Sequence, residues 1–166
     1  MPRTTVLRAP ARILLVLVTT LAASFAAGVV TAPAAEAGNL DNIRKAVQVT
    51  ANQKGDPYSY GAAGPDRFDC SGLVYYAFRK AGFRNVPRTS SQQSGFAKRI
   101  KRSNMRRGDL IFFHNGGRVY HVGVYGGRNK KNGNRFMIHA PYGNGVVERS
   151  PMWTNSWFPG TLRKRG

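Results

Sequence analysis

Apolar positions divide the chain into three regimes. Ile13 to Val30 is an apolar run interrupted only by Thr, Ser and Gly. Further along, Ile43, Ala46, Val47 and Val49 recur at helical spacing, predicting a helix from an N-cap at Asp41 to a stop at Gly55. Leu73, Val74, Tyr76, Ala77, Phe78 and Ala81 predict a second helix over Cys70 to Ala81, opened by Asp69 and closed by Gly82. They cover most of its circumference, so this helix should be central and buried. Between the two, Asp56-Pro57 and the Gly61 to Pro65 stretch mark a loop, and Pro87 to Ser94 reads as another polar connection. From residue 110 onward the spacing shortens to strands: Leu110–Phe113, Val119–Tyr125, Arg135–Ala140, Gly145–Arg149 and Trp157–Leu162. Helices first and strands second imply an α+β domain, an antiparallel sheet of about five strands packed on the Cys70 helix.

The first regime is not part of that domain. Arg3, Arg8 and Arg12 precede the apolar run with no acid among them, and Ala35-Glu36-Ala37 follows it with small residues at a cleavage spacing. This is the pattern of a secretory signal peptide over residues 1–37, with an uncleaved membrane anchor as the alternative. No cysteine follows the run to carry a lipid. Residues 38–166 then form one domain with no internal repeat. The whole chain carries 26 Lys and Arg against 7 Asp and Glu, a formal charge of +19. Removing three arginines and one glutamate with the leader leaves about +17.

Export sharpens the question of the single cysteine, Cys70. It can form no internal disulfide, and an odd cysteine in an exported protein points to intermolecular pairing or a reactive thiol. Its place in the first turn of a helix puts it near unsatisfied N–H groups and the positive end of the dipole. Such surroundings lower a thiol from ~8.5 to roughly 3.5–7.5, although a small buried apolar residue is the commonest fate of a free cysteine. Two histidines bear on the choice. Val119–Tyr125 and Arg135–Ala140 flank a turn-rich segment centred on Lys130, and a symmetric hairpin about that centre sets His121 directly opposite His139. Directly opposed Cβ atoms lie about 4.5–5.5 Å apart, close enough for one imidazole to hold the other. With Cys70 on the facing helix, His121 could take the thiol proton while His139 fixes its tautomer. The other readings are a two-His metal site and two hydrogen-bonded sheet histidines; no acid or third histidine stands at ligand spacing on those strands, which argues against metal. His114 is expected to be a solvated turn residue.

Six short motifs then carry a resemblance. They are Asp56-Pro-Tyr-Ser-Tyr-Gly61, Phe68-Asp-Cys-Ser-Gly-Leu-Val74, Pro87-Arg-Thr-Ser90 with Gln93, Arg107-Gly-Asp-Leu-Ile-Phe-Phe113, His121-Val-Gly-Val-Tyr125 and Met137-Ile-His-Ala-Pro141. In this order, over about residues 40–162, the chain resembles the NlpC/P60 family. The resemblance implies a papain-like α+β fold and a secreted cysteine peptidase of bacterial peptidoglycan, cutting between D-glutamate and the diamino acid of the stem peptide. It also implies Cys70 as nucleophile, His121 as general base, His139 as third polar residue and Tyr58 near the oxyanion. Asp69 and Ser71 match positions lining the substrate cleft, with Ser90 and Gln93 as weaker matches. Tyr58 is equally what a core aromatic would be, and Asp69 what an N-cap requires. Tyr60 stands where the family usually has Trp, and Arg107 where it often has Pro; neither touches the three central residues.

No cofactor or metal is expected. The basic clusters Lys98-Arg-Ile-Lys-Arg102, Arg106-Arg107, Lys130-Lys131 and Arg163-Lys-Arg165 suit the anionic polymers and stem-peptide carboxylates of a cell wall. Export and the lack of a zinc-finger or RNA-recognition signature argue against nucleic acid. The expected protein is a monomer at the wall without a stable membrane anchor. An N-acetylmuramoyl-L-alanine amidase using the same three residues, and a non-catalytic cationic wall-binding protein, are the alternatives.

Overall fold

The computed structural model describes residues 34–143 and 145–163, with side chains from Asn39 onward. The leader expected at 1–37 therefore falls, up to residue 33, outside the described residues. Three helices, α1 (Ala34–Asn52), α2 (Cys70–Lys80) and α3 (Ser90–Phe96), precede or accompany six strands. The strands are β1 (Lys98–Arg99), β2 (Leu110–Asn115), β3 (Arg118–Arg128), β4 (Arg135–His139), β5 (Glu148–Pro151) and β6 (Trp157–Thr161). They form one antiparallel sheet in the order β1-β6-β2-β3-β4-β5. The α+β architecture is as expected, with one strand more than the five anticipated.

The sheet is covered on both faces. One face offers Leu110, Phe112, Val122 and Val124 to a core shared with Val74, Ala77 and Phe78 of α2 and Ile43, Ala46 and Val47 of α1. The other gathers Ile111, Phe113, Tyr125, Met137 and Trp157 beneath Met105 and Met152. Residues 110–113 are buried at every position for this reason, as a central strand covered on both sides requires.

Four local expectations are corrected. Asp41 is not an N-cap: α1 already runs from Ala34, opening on the good helix formers Ala34 to Ala37 and continuing through Gly38 and Asn39, and Asp41 pairs with Arg44 one turn on at 2.6 Å. The polar stretch at Pro87–Ser94 is no loop, because Thr89 and Gln92 form a reciprocal capping box that opens α3. His114 is no free turn residue; it belongs to β2, half-buried with its ring 5.8 Å from Phe158. The β3–β4 hairpin is not symmetric about Lys130. Tyr125 faces Met137 but Gly127 faces Phe136, so Gly126 is an extra residue and the register beyond it shifts. A Cβ on Gly126 would lie 2.3 Å from the Phe136 ring, so glycine permits that bulge.

Candidate active site

The site is built on the start of α2. Asp69 caps the helix, its Oδ1 accepting from the Gly72 N–H at 2.6 Å, and its Oδ2 accepts from the Gly61 N–H at 2.9 Å. Arg88 closes the arrangement. It donates to both Asp69 oxygens at 3.0 and 2.7 Å, to the Ser71 hydroxyl at 3.1 Å and to the Ala62 carbonyl at 3.1 Å. Burial pushes the Asp69 carboxyl up, but the Arg88 and Gly72 hydrogen bonds and the Arg88 charge outweigh it and hold the group below the usual carboxylate range. The loop before the helix is thereby clamped onto its first turn. Gly72 is essential to the approach, since a Cβ there would lie 2.0 Å from the Ala62 carbonyl oxygen.

Cys70 is a free thiol, partly buried against the main core. Main-chain hydrogen bonds from Val122, Ser71 and Cys70 itself favour the thiolate, yet the thiol is raised rather than lowered: burial dominates, and the Asp69 charge adds to it. The helix N-terminus alone predicts the opposite sign, because it takes no account of burial or of the capping carboxylate next door.

His121 and His139 meet, although not as a directly opposed pair. Val124 faces Ile138, which continues to Gly123 facing His139 and leaves His121 diagonal to it. Diagonal neighbours are still within reach of ring side chains. His121 Nε2 lies 2.9 Å from His139 Nδ1, with the rings 5.0 Å apart at 88°. The outer nitrogen of His139 continues the chain, Nε2 lying 2.7 Å from Ser150 Oγ and 3.4 Å from Glu148 Oε1. The cross-strand pairs His139–Glu148 and Met137–Ser150 bring β5 to this point. Burial, then the neighbouring His139, pushes His121 down to about 3. Burial also lowers His139, against the opposing pull of Glu148. Trp153 lies over both rings, at 5.3 Å from His121 and 5.2 Å from His139, and stacks on Phe113 at 4.4 Å and 8°.

A cleft of about 570 Å³ contains Tyr58, Asp69, Cys70, Ser71, Ser90 and His121. Exposed aromatics gather on it. Tyr60 and Tyr142 are more than four-fifths exposed and Tyr120 about half, and all three line the cleft. Tyr58 is half-buried, its ring 5.6 Å from Tyr142, and burial together with Cys70 raises its hydroxyl. Gln93, grouped with the substrate-binding residues from sequence, lies behind the cleft. It is 1% exposed, and its amide donates to the Ser71 and Pro87 carbonyls at 2.9 Å each, fastening α3 to α2. Tyr142, Glu148, Ser150 and Trp153 went unnoticed in the sequence, and Arg88 stood there only inside the Pro87-Arg-Thr-Ser90 motif, with no role given to it. Only the Thr89–Gln92 capping pattern next to Arg88 gave any local signal there. Among the described residues no three His, Cys, Asp or Glu side chains gather to hold a metal ion.

An antiparallel sheet carrying two linked histidines, with a cysteine at the start of the helix packed on it, defines the chain's class. The NlpC/P60 family model matches residues 55–165, and the chain belongs to that family. A probable endopeptidase of Corynebacterium glutamicum is 38% identical over 115 residues, covering 69% of this chain and 51% of the relative. This chain thus spans about half the length of that protein. The peptidoglycan hydrolase RipB of Mycobacterium tuberculosis superposes with a TM-score of 0.64 at 30% identity, covering 76% of this chain and 67% of that one. RipD of the same organism, described as a non-catalytic domain adapted to peptidoglycan binding, gives a TM-score of 0.60 at 26% identity over 73% and 97% of the two chains.

Proposed function

We propose that this chain is an exported cysteine peptidase of peptidoglycan stem peptides, cutting between D-glutamate and the diamino acid, with residues 1–37 as its leader. The observation that carries the reading is the placement of Cys70 and His121 in one cleft, with His121 Nε2 held 2.9 Å from His139 Nδ1. That contact occupies one nitrogen of His121 and leaves Nδ1 as the one available to the thiol. Burial favours both the neutral thiol and the neutral imidazole, so the proton passes to His121 as sulfur attacks the carbonyl. Nε2–H of His121 then donates to His139 Nδ1, and Nε2–H of His139 to Ser150. The main-chain N–H of Cys70 and the Tyr58 hydroxyl stand beside the developing oxyanion. Collapse of the intermediate breaks the C–N bond, the amine leaves with the proton from His121, and water hydrolyses the thioester. The basic surface supplies attraction to an anionic wall, weakening as salt rises.

The experiment is mass spectrometry of peptidoglycan fragments after incubation with the protein, beside Cys70→Ala and a chelator control. Fragments ending in a new D-glutamyl carboxyl, insensitive to chelator and absent with the variant, are expected. A freed lactyl group would indicate an amidase. RipD supports a second reading as a non-catalytic wall binder, in which wild type and variant alike bind the wall and release nothing.

A further inference from the structure

An acyl transfer at Cys70 sends the two halves of the substrate in different directions. The acyl half stays bonded to sulfur, while the amine half must present its nitrogen to the imidazole that protonates it. The amine-side residue therefore lies beyond His121 as seen from α2.

Two side chains lead from the cleft onto that ground. Arg118 and Tyr120, at the start of β3, line the Cys70 cleft, and they also line a second depression of about 670 Å³. His114, Asn115, Trp153, Thr154 and Ser156 complete the second depression. The two concavities thus adjoin at Arg118 and Tyr120, on the side of His121 where Trp153 lies 5.3 Å from its ring. Tyr120 and Trp153 are each about half exposed, aromatic surface left open to solvent. Asp69 is the one acid on either lining and is already held by Arg88. Among the described residues no carboxylate pairs with Arg118. A guanidinium without a carboxylate partner, between a reaction cleft and an adjoining depression lined by Tyr120 and Trp153, is suited to a planar anion.

We infer that this second depression is the subsite for the residue on the amine side of the scissile bond, with Arg118 binding a carboxylate carried by that residue. The inference rests on the peptidase reading of the cleft and adds to it a preference for a free carboxylate over an amide. The probes are a synthetic stem tripeptide ending in a diamino acid with free carboxyls, its counterpart amidated on that residue, and one amidated on the glutamyl residue instead. With the full chain, Arg118→Ala should raise KM for the free peptide about ten- to hundredfold with little change in kcat. It should leave the peptide amidated on the diamino acid unaffected, and Arg118→Lys should recover part of the loss. An equal loss on the free and diamino-amidated peptides, no loss at all, or an effect abolished by glutamyl amidation would overturn the assignment. Calorimetric titration of Cys70→Ala and of Cys70→Ala with Arg118→Ala makes the same comparison without turnover. If wild type cleaves nothing but binding still depends on Arg118 and the diamino-acid carboxylate, the subsite stands and the peptidase reading falls; binding indifferent to Arg118 sinks the subsite.

Discussion

His121 Nε2 and His139 Nδ1 lie 2.9 Å apart with their rings nearly perpendicular, and His139 Nε2 is in turn 2.7 Å from Ser150 Oγ. The same His139 nitrogen has Glu148 Oε1 as a second, longer neighbour at 3.4 Å, so fixing the proton at this outer end fixes it at the other. His139→Ala should lower kcat about a hundredfold or more with KM little changed, and His139→Asn, which keeps an acceptor, should fall between. Ser150→Ala removes one neutral hydrogen bond, about 1 kcal/mol or roughly fivefold in kcat. Half-exposed Glu148 is screened by solvent, and Glu148→Gln should cost no more than about threefold. Nitrogen chemical shifts of His139 report its tautomer directly; an unchanged tautomer in both Ser150→Ala and Glu148→Gln would remove the outer end of the line from the mechanism.

Burial of His121 makes stability depend on acid. Its folded value, about 3, is below the ordinary 6.5, so at intermediate pH the unfolded chain takes up a proton that the folded chain does not. That contribution is complete above pH 6.5 and is lost as pH falls toward 3, at roughly 1.4 kcal/mol for each unit. Asp69, held below the ordinary carboxylate value of 3.8, adds its own loss only at the acid end of this range. Urea unfolding of wild type and His121→Gln between pH 7 and pH 4.5 should show the wild type losing stability faster. Parallel curves would mean that His121 is not held neutral.

Arg88 holds Asp69, Ser71 and the Ala62 carbonyl at once. Without it, a carboxylate at the base of the cleft keeps its helix-cap hydrogen bonds but loses its cation. Arg88→Ala should destabilise the protein by about 2 kcal/mol at pH 7, less than for a fully buried pair because Arg88 is one-third exposed. The deficit should shrink as acid protonates Asp69, since the charge that Arg88 neutralises is then gone. Denaturation at pH 7 and pH 3 separates this from a simple loss of packing.

Gly72→Ala brings a methyl group against the Ala62 carbonyl at a distance no side chain tolerates. Either α2 or the 59–64 loop must move, and a loss of about 2 kcal/mol is expected with the Tyr58 hydroxyl displaced. A crystal structure of the variant with both α2 and the loop unmoved would refute this.

How far the sequence reached differs along the chain. The Cys70 helix, its Asp69 cap and the central strands were legible because each carries a strong period or a capping residue. Cys70, His121 and His139 could be grouped before any coordinates, and the structure brings Cys70 and His121 into one cleft and His121 against His139. The register between the two histidines was not legible, because the hairpin sets Arg128 opposite Arg135 and so is centred beyond Lys130, and the extra residue at Gly126 then moves the pairing back by one; neither leaves a mark in the pattern of apolar positions. Ser150 and Glu148 depended on that register and on the pairing of a four-residue strand with no alternation, so nothing pointed to them. Gln93 was assigned to the cleft by resemblance alone. Its amide satisfies two carbonyls instead, a role that only the packing of α3 on α2 reveals. Trp153 sits in an irregular connection, where spacing says nothing about what a side chain covers.

The clamp at the start of α2 has a consequence for how such domains diverge. Asp69, Arg88 and Gly72 shape the cleft through contacts that make no use of the sulfur, and Cys70 sits only at the margin of the core. Chemistry and architecture are therefore separable by a single atom. Replacing the thiol would leave a rigid, aromatic-rimmed groove ready to hold a peptide, so a descendant that keeps every scaffold residue of this motif and changes only Cys70 would remain a receptor for the ligand it no longer cuts.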